Sequence, residues 1–151
     1  MDQEPTTRPA VKIAELTTHA AMLLEAHADE YLRKNFAITY HQYVLFAVLS
    51  EKEPTDLTTL AACLNVSKAA VSKRLPGLQE AGYLVAVPAE HSKRSLTVTL
   101  TDKTRGILAQ AGPELEALLH AKLEHSGLPL DADLLARQLE VLVSVLEDGD
   151  E

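Results

Sequence analysis

The chain has 151 residues, of which 14 are basic and 22 acidic, giving a net charge of −8; apolar residues make up 46% of it, enough for a packed core and too many for a disordered tail. No run approaches the roughly 18 apolar residues that cross a bilayer, so no membrane contact is expected. The polar start from Met1 to Pro9 lacks an export signal's basic and apolar regions, and the single Cys63 excludes an intramolecular disulfide framework, so a cytoplasmic protein is expected.

Pro9 to about Leu32 reads as a helix, because Ile13, Leu16, Ala20, Leu23, Leu24, His27 and Tyr31 recur at three- and four-residue steps. His27, on that apolar stripe, is expected to pack in the core. Thr39-Tyr40-His41-Gln42 matches a capping box opening a second helix through Val44, Leu45, Val48 and Leu49, which Glu51 to Pro54 ends. Asp56 caps a short helix carrying Leu60, Ala61 and Leu64, and Asn65 makes a turn. Ser67 caps the next helix, whose apolar positions are Val71, Leu75 and Leu78; Gly82 closes it as a left-handed residue, and Pro76 should bend it.

Beyond Gly82 the period changes from 3.6 to 2. Tyr83 to Val87 and Ser95 to Leu100 read as strands, joined by a polar, basic loop from Pro88 to Arg94. Thr101 caps a long helix to about Glu124, disturbed at Gly112-Pro113. Asp131 caps a last helix with Leu134, Leu135, Leu139, Leu142, Val145 and Leu146, followed by an acidic, fraying end. The expected fold is mainly α with a small β-hairpin wing (α+β), in the order of a winged helix-turn-helix.

Charge is segregated along the chain. Between Val66 and Arg105 stand Lys68, Lys73, Arg74, Lys93, Arg94, Lys103 and Arg105 against Glu80, Glu90 and Asp102, while the remainder is strongly acidic. One face can therefore attract phosphate although the whole is negative. On the helix after Ser67, small Ala69 and Ala70 permit close approach to base edges. Ser67, Lys68, Ser72 and Lys73 could bond phosphates or bases, and Arg74 could pair with a backbone phosphate. The hairpin tip adds His91, Lys93 and Arg94, a cationic point suited to the minor groove.

The run Thr39-Tyr40-His41-Gln42-Tyr43-Val44-Leu45, then Leu60 to Ser72, then Leu78-Gln79-Glu80-Ala81-Gly82-Tyr83-Leu84 and Thr97 to Lys103, resembles the MarR family of bacterial regulators in order and over nearly the whole chain. The resemblance implies a homodimer intertwined through the first helix and the last two. That divides the chain into residues 1–36 and 102–151 for dimerisation and 37–101 for a DNA-binding lobe. It also implies a pseudo-palindromic duplex site and repression relieved by a small anionic or phenolic ligand, a metal or an oxidant. The family's wing usually carries Asp before its Arg; here Ser92-Lys93-Arg94 stands there, so contact is expected to be more purely electrostatic. Thr104 occupies a position where the family commonly has Gly.

Tyr31, Tyr40, His41 and Tyr43 are candidates to line an effector pocket between the long helices and the winged lobe, with packing as the equal alternative. Cys63 is expected to be packed rather than redox-sensing. Glu116, His120 and Glu124 have metal-compatible spacing on one helix face, but acidic helices with scattered histidines are common, and no metal or cofactor is expected. The readings that compete with DNA binding are a winged-helix dimer acting through another protein and a metal-responsive regulator of the same family. An enzyme is not expected, because no Gly-rich phosphate loop, nucleophile elbow or acid–base pair is present.

Overall fold

The computed structural model describes residues 9–90, 92–127 and 129–147, with the side chains of 92–94 left aside. It divides into two compact units, the first ending at Leu115 and the second beginning at Glu116.

In the first unit, α1 (Pro9–Phe36) leads to α2 (Tyr40–Lys52), whose capping box forms as expected: Gln42 N–H donates to Thr39 Oγ1 at 3.0 Å and Thr39 N–H to Gln42 Oε1 at 2.8 Å. Then follow β1 (Thr55–Asp56), α3 (Leu57–Cys63), α4 (Lys68–Glu80), β2 (Leu84–Ala89), β3 (Ser92–Leu100) and the start of α5 (Asp102–His125). The sheet is antiparallel in the order β1-β3-β2, so the expected two-stranded ribbon has a third member: Thr55 pairs with Val98 and Asp56 with Thr97. Two residues are too short to show a period, and only their pairing makes them a strand.

The ribbon is also longer than expected. β2 continues through Pro88 to Ala89 and β3 begins at Ser92, so the loop from Pro88 to Arg94 is mostly strand. Pro88 pairs with Leu96 and Ala89 with Ser92, so Lys93, Arg94 and Ser95 fall in an irregular stretch of β3.

One apolar core joins these pieces. Leu32 of α1, Leu45, Phe46 and Leu49 of α2, Leu60 of α3, Val71 and Leu75 of α4, Leu84, Val98 and Leu100 of the sheet, and Ala111 of α5 are all buried in it. Phe46 is fully enclosed and its ring stands 5.1 Å from that of Tyr83. Thr104 is buried too, and its hydroxyl donates to the Tyr83 carbonyl at 2.5 Å. A glycine there would leave that carbonyl without this donor.

Other expectations are corrected. α1 runs a turn further, to Phe36, and its stripe of Ile13, Leu16, Leu23 and Leu24 is exposed. His27 is exposed as well, its Nδ1 2.7 Å from the Leu23 carbonyl, because none of the described residues covers that helix face. Cys63 is exposed, since it lies beyond the buried Leu60 and Ala61 of α3. α5 passes through Gly112-Pro113 as one helix.

In the second unit, α5 runs on to His125, and Asp131 Oδ1 accepts from Leu134 N–H at 2.9 Å to open α6 (Ala132–Glu147). None of the residues of α6 is buried.

Candidate nucleic-acid interface

The presentation of α4 is built from local signals. Asp56 opens α3 by accepting from Thr58 N–H at 2.7 Å and Thr59 N–H at 2.9 Å. Asn65 turns the chain at φ 51°, a conformation asparagine tolerates, and Ser67 Oγ accepts from Ala70 N–H at 3.1 Å to open α4. At the far end Gly82 takes φ 74°. Gly82 N–H reaches the Gln79 carbonyl and Tyr83 N–H the Leu78 carbonyl, both at 2.9 Å, the bond pair of a Schellman closure. Lys103 Nζ donates to the Ala81 carbonyl at 2.9 Å and lies 4.4 Å from the Tyr83 ring centre, a cation at the negative end of the helix.

Val71, Leu75 and Leu78 are buried; with 100° per residue, the opposite face carries Ala69, Ser72, Lys73 and Pro76, all exposed, and ends on Glu80. Arg74 is exposed on one flank and Lys68 on the other. Among the described residues, Lys73 and Arg74 have no hydrogen bond or ion pair. By contrast, Arg105 is bound to Glu53 at 2.8 Å and Asp102 at 3.2 Å. Two of the seven cations that sequence places in this segment, Lys103 and Arg105, are thus committed to architecture.

Each flank of α4 borders a cleft. One, of about 780 Å³, lies between α4, the start of α3 and the ribbon, and is lined by Lys68, Ser72, Asp56, Thr58, Thr59 and Ser95 among others. The other, of about 470 Å³, lies between α4 and the start of α2, and is lined by Lys73, Arg74, Gly77 and Leu78 with Thr39, His41, Gln42 and Leu45.

The expected DNA-binding residues therefore divide. Lys68, Ala69, Ser72, Lys73 and Arg74 are on the exposed surface of α4; Ser67 is exposed, with its hydroxyl used as the cap, and Ala70 is half-buried. His91 lies outside the described residues, as do the side chains of Lys93 and Arg94, whose backbone is in β3. Thr58 and Thr59, at the lip of the larger cleft, were not among the expected contacts; their place right after a cap residue is the signal that marks them.

Neither of the two clefts beside α4 is lined by all four effector-pocket candidates. Tyr31 donates to Glu114 of α5, a bond that holds the phenol's pKa above its usual value. Tyr43 is half-buried beside Gly112, and that burial raises its pKa. Tyr40 N–H donates to Asp29 at 2.8 Å. His41 lines the smaller of the two clefts beside α4. In the second unit His120 sits 3.2 Å from Glu124, and no group of three metal-ligating side chains occurs among the described residues.

The cap on α3 carries a pH dependence. Hydrogen bonds from Thr59 N–H first, then from its hydroxyl and Thr58 N–H, with the charge of Lys68, hold the Asp56 carboxyl below its ordinary 3.8. Its stabilising effect is complete above that unfolded value and is lost as pH falls through the lowered folded one. Asp56→Ala should melt below wild type at neutral pH, and the gap should close in strong acid; a gap that persists there would assign the effect to something other than the charged cap.

Helix, short helix, left-handed turn, outward-facing helix and antiparallel ribbon define a winged helix-turn-helix. Residues 38–95 match the family model described as MarR family, the same family the sequence resembles. The fold is similar to that of the transcriptional regulator BldR from Sulfolobus solfataricus, at TM-score 0.78 and 19% identity over 93% of this chain and 99% of that one. It is also similar to Sco3205, a MarR family transcriptional regulator from Streptomyces coelicolor solved in complex with DNA, at TM-score 0.78 and 21% identity over 99% and 94%. Streptococcus pneumoniae FabT in complex with DNA matches at TM-score 0.75 and 19% identity over 92% and 98%. No curated protein matches the chain.

Proposed function

We propose that the chain is a cytoplasmic transcription regulator that binds double-stranded DNA as a homodimer, acting as a repressor released by a small-molecule effector. The observation that carries the reading is α4, a helix held at both ends whose outward cations have no partner among the described residues, bordered by a cleft that the ribbon also lines. Two neighbours of the same fold were solved with DNA. A dimer is supported by apolar side chains left in water: Ile13, Leu16, Leu23 and Leu24 on α1, and Leu134, Leu135, Leu139 and Leu146 on α6. No helix of the described residues is long and apolar enough to cross a membrane. Release by an effector rests on the family resemblance.

The test is a salt titration of binding to duplex DNA, with sedimentation to count chains. Two chains per duplex are expected. The slope of log affinity against log salt should be about −5 if only Lys68, Lys73 and Arg74 of each lobe neutralise phosphate, and about −9 if Lys93 and Arg94 do so too. A flat slope, or no binding at low salt, sinks the reading.

A further inference from the structure

A helix about 10–12 Å across that fills a major groove about 12 Å wide has a sugar-phosphate strand along each flank. The two clefts beside α4 are where those strands would run, and their chemistry differs. The ribbon-side cleft is lined by both Lys68 and the carboxylate of Asp56. The cleft beside α2 has no acidic residue in its lining. Within it the capping box occupies Thr39 Oγ1 and Gln42 Oε1 as acceptors, and Lys73, Arg74 and His41 are the lining groups that can bring positive charge to a ligand. His41 Nδ1 is 3.4 Å from Glu25 Oε1, and Nε2 has no partner among the described residues.

We propose that this cleft seats a backbone phosphate of the bound duplex, held by Lys73 and Arg74, with His41 as a third, proton-dependent donor through Nε2. The inference rests on the DNA-binding reading and adds a contact from α2 to it. The charged and titratable groups around the imidazole are Glu25 and Asp29 of α1, Tyr40 of its own helix, and Lys73 and Arg74 of α4. Asp29 is itself occupied by Arg33 and the Tyr40 N–H, so Glu25 is the carboxylate left to steady the ring. An incoming phosphate offsets the two α4 cations and favours the imidazolium. The phosphate oxygen accepts the Nε2 proton in a hydrogen bond while Nδ1–H faces Glu25, and each lobe draws up to one proton from solvent as DNA binds.

The probe is a mixed-sequence duplex at low, constant ionic strength, because a phosphate contact is sequence-independent. Wild-type affinity should rise about threefold to tenfold per lobe between about pH 8 and about pH 6, the histidine range. Calorimetry in buffers of different ionisation heat should show net proton uptake, a measurement that requires no variant. His41→Gln should lose both the rise toward lower pH and the net proton uptake.

If His41→Gln keeps the wild-type pH response while Lys73→Glu still abolishes binding, this inference fails and the regulator reading stands. If millimolar inorganic phosphate without DNA draws the same protons, the cleft is a free-anion pocket and the inference fails. Absence of binding at either pH defeats both.

Discussion

Reversing Lys73 and Arg74 together, as Lys73→Glu with Arg74→Glu, should lower affinity for duplex DNA by about 10²–10³-fold at low salt. In the proposed dimer this removes four phosphate contacts, so the slope against log salt should flatten by about 3 to 4. Both side chains are exposed and bond nothing in the described chain, so the melting temperature and the dimer should be unchanged. Anisotropy titrations over a range of salt, with a melt by circular dichroism, check both halves. Unchanged affinity in a folded dimer would mean that α4 does not face the duplex.

Phe46→Ala should destabilise the fold by about 3–5 kcal/mol, the range for deleting a large ring from a closed core. Phe46 is fully buried where α2 meets the Tyr83 ring and the buried sheet residues, so the cavity has walls from several elements and little room to collapse. The measurement is a denaturant midpoint at fixed protein concentration, since association contributes to the stability of a dimer. A loss below about 1 kcal/mol would place the centre of the core elsewhere.

The helices were readable because their signals are local. Thr39, Asp56, Ser67 and Gly82 each mark an end within three residues of the bonds they make, and the structure forms those bonds. What sequence did not reveal depends on distant partners. β1 exists only through Val98 and Thr97. Lys103 and Arg105 read as part of a cationic surface, but Ala81 and Glu53, far back in the chain, hold them. The stripe containing Leu16 and His27 shows a correct helical period, and period alone cannot say whether the chain itself or something else covers it. His41 was singled out from sequence with three tyrosines; its companions in the fold are Lys73 and Arg74.

Thr101 is the one residue between the end of β3 at Leu100 and the start of α5 at Asp102. Its hydroxyl is fixed 2.7 Å from the Gly82 carbonyl and its N–H 3.2 Å from that of Tyr83, while Glu53 grips Leu100 N–H on one side of it and Arg105 on the other. Such a joint has no slack. The first turn of α5 is thus joined to the strand of the ribbon with no loop between them, and a change of angle there has no flexible segment in which to be absorbed.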